Sequence, residues 1–186
     1  MLNRFKWRFL LLAFAAVSLL AGLWAGAARL GLDLPALNEE LPSNHGPMMV
    51  VGFLGTLIAL ERAVALDRLW PYGAALLSGF SVLTVLFGFP PEFGAALALG
   101  ASCLSIMVFV SLYRLAPATH FIVMILSAVL WAMGNALWLM TQPFNVAAPW
   151  WVGFLVLMIS GERLQLSRVM QRPARASWLF NASVAV

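Results

Sequence analysis

The residues best suited to chemistry in this sequence form one short run, Ser43-Asn44-His45-Gly46-Pro47-Met48-Met49. An imidazole and thioethers are ligands that suit Cu(I), and imidazole also suits iron. His45, Met48 and Met49 are therefore a candidate metal or haem site. The alternative is that Pro47 begins a helix, so that His45 precedes it and only makes a hydrogen bond at a loop end.

The second histidine, His120, cannot complete this site. The topology given below places it at the opposite membrane surface, about 30 Å from His45. It follows Pro117-Ala118-Thr119, a pattern that predicts a helix start capped by Thr119 and a structural role for His120. The single cysteine, Cys103, cannot form an internal disulfide and is expected to act as a small apolar residue.

Two Glu-Arg pairs, Glu61-Arg62 and Glu162-Arg163, stand in apolar surroundings. Each charge costs about 2.5–3.5 kcal/mol at the centre of a membrane helix, so these side chains should not face lipid. Adjacent residues on a helix point about 100° apart, so the Glu and the Arg of one pair are poorly placed to bond each other. We therefore expect each Glu to pair with the Arg of the other helix. Glu61 would pair with Arg163, and Glu162 with Arg62. Such buried ion pairs either pin the helices together or belong to a proton or ion path.

Other polar residues inside apolar segments are expected to serve packing. Asn135 can hydrogen-bond across helices, whereas Ser127 and Thr56 can bond back to carbonyls of their own helices. No phosphate loop, no nucleophile with a base and no metalloprotease helix is recognisable in the sequence. We therefore assign no catalytic residue.

The elements that must position these residues are membrane-spanning helices. Of 186 residues, 63% are hydrophobic and only 10% are charged, whereas about 25% are charged in an average soluble domain. A membrane span needs about 20 apolar residues. The sequence predicts an all-α polytopic transmembrane helix bundle with six full spans, at about residues 7–29, 47–66, 72–89, 93–113, 119–140 and 149–169.

The last residues, Trp178–Val186, read as a partial seventh span that is too short to cross the hydrocarbon core. We therefore expect residues 1–186 to form a single transmembrane domain that is a fragment of a longer protein.

Basic residues give the predicted helices an orientation. Ten of the 11 Lys and Arg residues lie on one side of the six spans, and the positive-inside rule assigns that side to the cytoplasm. The acidic residues Asp33, Glu39, Glu40 and Glu92 lie on the other side with His45. We expect a multi-pass protein of the bacterial inner membrane with a cytoplasmic N-terminus. The net charge of +4 reflects this orientation and does not indicate nucleic-acid binding.

An internal repeat relates span 2 to span 6 at an offset of 101 residues. It aligns Gly52-Phe53-Leu54 with Gly153-Phe154-Leu155, and it aligns the two Glu-Arg pairs. Both spans run in the same direction across the membrane, so the predicted repeat is parallel.

The segments His45–Leu66 and Trp150–Leu164 resemble the N-terminal half of bacterial NnrS-type proteins. Those are inner-membrane proteins that contain haem and copper and are linked to nitric-oxide stress. The resemblance implies haem b or copper as cofactor and a role in respiratory or nitric-oxide physiology, with His45 as the residue that carries over. Further histidines of that family lie in later spans, so the implied partners are a missing C-terminal half or other membrane subunits.

Two other functions fit the same sequence. The parallel repeat and the Glu-Arg pairs also suit a transporter or channel. The small residues on spans 1 and 5 suit a non-catalytic structural or assembly subunit, because they let helices approach closely; they are Gly22, Gly26, Ala128, Ala132 and Ala136.

Overall fold

The computed structural model describes residues 2–35 and 41–170, and the side chains of 8–35 and 41–167. The predicted partial seventh span lies outside the described residues, as do Glu39 and Glu40.

Six helices make up most of the described part of the chain. They are α1 (Leu2–Arg29), α2 (His45–Leu66), α3 (Tyr72–Leu86), α4 (Pro91–Leu115), α5 (Thr119–Leu139) and α6 (Phe144–Met170). The predicted all-α helical bundle is confirmed. Every one of these helices except α3 is long and apolar enough to cross a membrane.

Helix α3 is shorter than the predicted third span. Its 15 residues reach about 22 Å, less than the roughly 30 Å of a hydrocarbon core. The helix stops before Phe89 because Gly88 adopts a left-handed conformation with φ of 72°. The amide of Phe89 bonds the Thr84 carbonyl and that of Gly88 bonds the Val85 carbonyl, which is the Schellman arrangement. The number of full spans thus stays a prediction.

One predicted helix start and one predicted cap are wrong. Helix α6 begins at Phe144, and Pro149 is its sixth residue. The proline ring removes the amide that would otherwise bond the Asn145 carbonyl. Helix α5 begins at Thr119 itself, after Ala118, and no side-chain cap bond is made there. The predicted Thr119 cap therefore does not form.

The first half of α2, Met48–Gly55, is a π-helix. Its i→i+5 hydrogen bonds widen the backbone turn, and the Val51 carbonyl accepts a further bond of 2.7 Å from Ser78 Oγ of α3. Gly52 and Gly55 let this wide segment approach its neighbours. A Cβ on Gly55 would lie 2.5 Å from Cζ2 of Trp131.

Helix α2 lies in the middle of the bundle. It packs against α1, α3 and α4, and both of its ends meet α6. Gly46 lies against the ring of Phe144 at one end, and Arg62 hydrogen-bonds Glu162 at the other. The early residues of both helices meet at one end and the late residues meet at the other, so α2 and α6 run in the same direction. The internal repeat itself stays a prediction, because α6 is an α-helix where α2 is a π-helix.

Aromatic side chains fill the core between α2, α4, α5 and α6. The rings of Trp131 and Phe154 stack with centroids 5.0 Å apart. Trp151 lies near the start of the predicted sixth span, where an amphipathic ring favours the headgroup level, and it is only 2% exposed. It packs on Gly134, where a Cβ would come within 2.5 Å of its ring.

Replacing Gly55 by alanine should destabilise the protein, because the new methyl group meets a buried indole that cannot move aside. We expect a loss of about 1–3 kcal/mol, measured as a lower unfolding midpoint of the detergent-solubilised protein. Gly100→Ala is the matched control, since its nearest neighbour is the flexible Leu77 Cδ1 at 3.3 Å. Equal midpoints for the two variants would contradict this packing.

Candidate functional site

His45 is the first residue of α2, and its ring lies against α1. Nδ1 donates a hydrogen bond of 2.7 Å to the carbonyl oxygen of Gly22. A carbonyl can only accept, so Nδ1 carries a proton, and in the neutral imidazole Nε2 has the free lone pair. Imidazoles that bind metals are commonly oriented in this way. Gly26 makes room for the ring, since a Cβ there would lie 2.9 Å from Cε1.

Met49 follows His45 by one turn and lies against the same part of α1. A Cβ on Gly22 would lie 2.7 Å from the Met49 sulfur. The alternative that His45 precedes the helix is therefore wrong. The helix begins before Pro47 because a proline in the first turn lacks only an amide that would have no helical partner. The imidazole and one thioether thus share the helix face turned to α1.

Met48 lies in different surroundings from Met49. It is fully buried in a cluster with Ala21, Ala25 and Val82. Its side chain fills the core, so Met49 is the better partner for His45.

The chemistry available to His45 and Met49 is that of soft, low-coordinate metal binding. A neutral nitrogen and a neutral sulfur suit Cu(I). In the described part of the chain, no three His, Cys, Asp or Glu side chains are grouped to hold a metal ion. His120 lies at the start of α5 against Phe121 and cannot serve as a second imidazole here.

Arg62 is buried near the C-terminal end of α2, with a side chain only 6% exposed. Nη2 donates to Glu162 Oε1 at 3.0 Å and to Glu61 Oε1 at 3.1 Å. Nη1 donates to Gln165 Oε1 at 3.3 Å. Two carboxylates and one amide therefore hold a single guanidinium, and they join α2 to α6.

This arrangement corrects half of the expected pairing. The pair of Glu162 with Arg62 is present, but Glu61 contacts Arg62 instead of Arg163. The long Glu and Arg side chains span the angle between adjacent helix positions. The Glu61 side chain is 62% exposed and Arg163 is also exposed, so Arg62 is the one deeply buried charge of the four. Sequence reasoning missed Gln165, which follows Glu162 at a spacing of one helical turn.

A small cavity lies beside Arg62. Arg62, Trp131 and Ser105 line it, and its volume is about 10 Å³, about the space that one water occupies. The Arg62 Nε and Trp131 Nε1 atoms have no hydrogen-bond partner among the described residues, and both are donors. Most of the cavity's other walls are apolar side chains, among them Phe109, Phe154 and Met158, so the cavity offers little polar surface to a ligand.

Asn135 joins three helices through hydrogen bonds. Its Nδ2 donates to the Ala98 carbonyl of α4 at 2.9 Å, and its Oδ1 accepts from Trp151 Nε1 of α6 at 3.0 Å. Asn135 is fully buried. Its amide therefore serves to fix the packing of α4, α5 and α6.

Ser127 and Thr56 do not bond back to their own helices. Ser127 Oγ donates to the Phe154 carbonyl of α6 at 2.7 Å, because α5 and α6 pack closely there. Thr56 Oγ1 is buried and has no hydrogen-bond partner among the described residues.

Comparison with known proteins gives one family. A sequence model of the family described as Domain of unknown function (DUF8744) matches residues 8–186, and the chain belongs to this family. No curated protein and no solved structure matches the chain.

Truncating Glu162 should destabilise the protein more than truncating Glu61. Glu162→Ala removes the less exposed carboxylate from a buried guanidinium, for which we expect a loss of about 1–3 kcal/mol. Glu61→Ala should cost less than about 1 kcal/mol. Arg163→Ala is the control and should stay within about 0.5 kcal/mol of the parent. Chemical unfolding in detergent measures all three, and a large effect of Arg163→Ala would favour the originally expected pairing.

Asn135 and Trp151 should be energetically coupled. Asn135→Leu leaves the buried Trp151 N–H without its acceptor, which we expect to cost about 1–3 kcal/mol. Adding Trp151→Phe removes that donor, so the double variant should be more stable than the sum of the single effects predicts. Pairing Asn135→Leu with the distant, exposed Cys103→Ala supplies an additive control. If the stability changes of the Asn135 and Trp151 variants were also additive, this would argue against the hydrogen bond between the two side chains.

Proposed function

We propose that this member of the DUF8744 family is an integral membrane protein that binds Cu(I) through His45 and Met49. The observation that carries this proposal is the hydrogen bond from His45 Nδ1 to the Gly22 carbonyl. It leaves Nε2 as the nitrogen that can ligate, on the helix face that also carries the Met49 thioether.

The donor set favours Cu(I) over harder ions. Thioether sulfur and imidazole nitrogen are both uncharged, and harder cations such as Mg²⁺ or Ca²⁺ prefer carboxylate and carbonyl oxygens. Gly22 and Gly26 form a groove in α1 that accepts both side chains. When bound there, Cu(I) would supply one-electron or copper-transfer chemistry at one end of α2.

Copper also fits this chain better than haem b. A haem centre with two axial imidazoles would need a second histidine, and His120 lies at the other end of the bundle. Another subunit would have to supply it. A two-coordinate Cu(I) site needs only His45 and Met49.

The proposed location follows from charge and from family resemblance. His45 lies at the end of α2 opposite Arg62 and Arg163. The positive-inside rule places that end at the periplasmic face of a bacterial inner membrane, with the N-terminus in the cytoplasm. The resemblance to NnrS-type proteins supports a role in respiratory or nitric-oxide physiology.

The other two functions have weaker support. For a transporter or channel, the cavity beside Arg62 has only the volume of about one water and is lined mostly by apolar side chains. For an assembly subunit, Gly22 and Gly26 are already covered by Met49 and His45 of the same chain. Copper binding is therefore the function we place first.

Purified protein in detergent should bind about one Cu(I) per chain in competition with bicinchoninate. His45→Ala and Met49→Leu should each weaken the affinity by about 100-fold or more, because even second-shell changes at metal sites cost 10–100-fold. Met48→Leu should have a smaller effect, since Met48 fills the core. Met107→Leu, an exposed methionine on α4, is the control and should bind as the parent does.

Gly22→Ala provides an independent test of the groove. The new methyl group would displace the flexible Met49 sulfur, so copper affinity should fall while the unfolding midpoint changes little. Equal affinities for the parent, His45→Ala and Met49→Leu would rule out this site.

A further inference from the structure

We propose that a cleft between the C-terminal ends of α2 and α4 binds the phosphate of an anionic phospholipid. The cleft has a volume of about 210 Å³ and lies at the end of the bundle away from His45. Its lining residues are Leu66, Arg68, Trp70, Ser111, Arg114 and Leu115.

Two guanidinium groups give the cleft its charge. Arg68 follows the end of α2, and Arg114 lies in the last turn of α4. No carboxylate belongs to the lining. Asp67, next to Arg68 in the sequence, is exposed outside the lining, and it offsets much of the positive charge together with the two helix C-termini. The attraction for phosphate therefore comes from direct contact with the two guanidinium groups that line the cleft. Guanidinium groups bind phosphate oxygens in bidentate geometry.

The donors in the cleft fit an acceptor-only ligand. Ser111 Oγ donates its proton to the Met107 carbonyl at 2.8 Å, so Arg68, Arg114 and the Trp70 indole are left as the donating groups. A phosphate diester offers only acceptor oxygens. The match favours a phosphate diester as the group bound between the arginines, and the uncompensated negative charge of an anionic phospholipid distinguishes it from a zwitterionic one.

Apolar surface next to the cleft favours a lipid over free phosphate. Leu115 and Leu69 are each 69% exposed. On α4, Cys103 and Met107 are exposed one turn apart, and the next turn brings Ser111. This stripe can hold an acyl chain while the head group lies between the arginines. Tryptophan is enriched at the headgroup level, and basic pockets between spans bind acidic head groups.

Native mass spectrometry of the full chain in mild detergent tests the proposal. Phosphatidylglycerol should bind roughly 10- to 30-fold more tightly than phosphatidylcholine, because each of the two arginines should favour the anionic lipid. The double variant Arg68→Gln with Arg114→Gln should lose this preference. Arg163→Gln, an exposed arginine outside the cleft, should keep it. Equal affinity of the parent for both lipids would overturn the proposal.

A competition experiment separates lipid from free phosphate. Millimolar inorganic phosphate should leave bound phosphatidylglycerol in place, because the ion lacks the acyl contacts. Displacement of the lipid by inorganic phosphate would overturn the lipid assignment.

A second measurement does not depend on the folding of any variant. Cys103 is the single cysteine of the sequence and lies about 12 Å along α4 from Ser111. A fluorophore on Cys103 in bilayers should be quenched more by spin-labelled phosphatidylglycerol than by spin-labelled phosphatidylcholine at equal fractions. Equal quenching by the two lipids would overturn the proposal.

Discussion

A polar group in hydrocarbon must find its partner inside the protein, and this constraint organises the whole bundle. Arg62 is held by Glu61, Glu162 and Gln165. Asn135 links α5 to α4 and α6. Two serines donate across helix interfaces to the carbonyls of Val51 and Phe154. Each of these bonds fixes one helix relative to another, so the polar residues determine the packing that the apolar residues alone leave open.

Helix α2 depends on this constraint most. Its Arg62 end is held to α6, its π segment is bonded by Ser78 of α3, and its His45 end is bonded to Gly22 of α1. The imidazole that we propose as a copper ligand is therefore held by a backbone bond on a helix that is fixed at both ends. Such preorganisation lowers the free energy needed to bring His45 and Met49 to one metal ion.

Hydropathy alone was enough to predict an all-α bundle and to place its helix ends within three residues, except for the starts of α1 and α6, which lie five residues earlier than predicted. It could not predict the π segment, because the choice between i→i+4 and i→i+5 bonds depends on how Gly52, Gly55 and Ser78 pack. It also could not predict that Trp151 is buried, because this depends on the acceptor that Asn135 of α5 supplies to the indole N–H. The choice by Glu61 of its own neighbour Arg62 over Arg163 likewise depends on side-chain reach, which spacing along a helix does not give.

X-ray absorption at the copper edge tests the central claim most directly. The Cu(I)-loaded protein should show one histidine nitrogen and one thioether sulfur in the first shell of the metal. Met49→Leu should remove the sulfur scattering and keep the imidazole signal. A first shell of light atoms alone, or a sulfur signal that Met49→Leu leaves intact, would contradict the assignment of His45 and Met49 as the metal ligands.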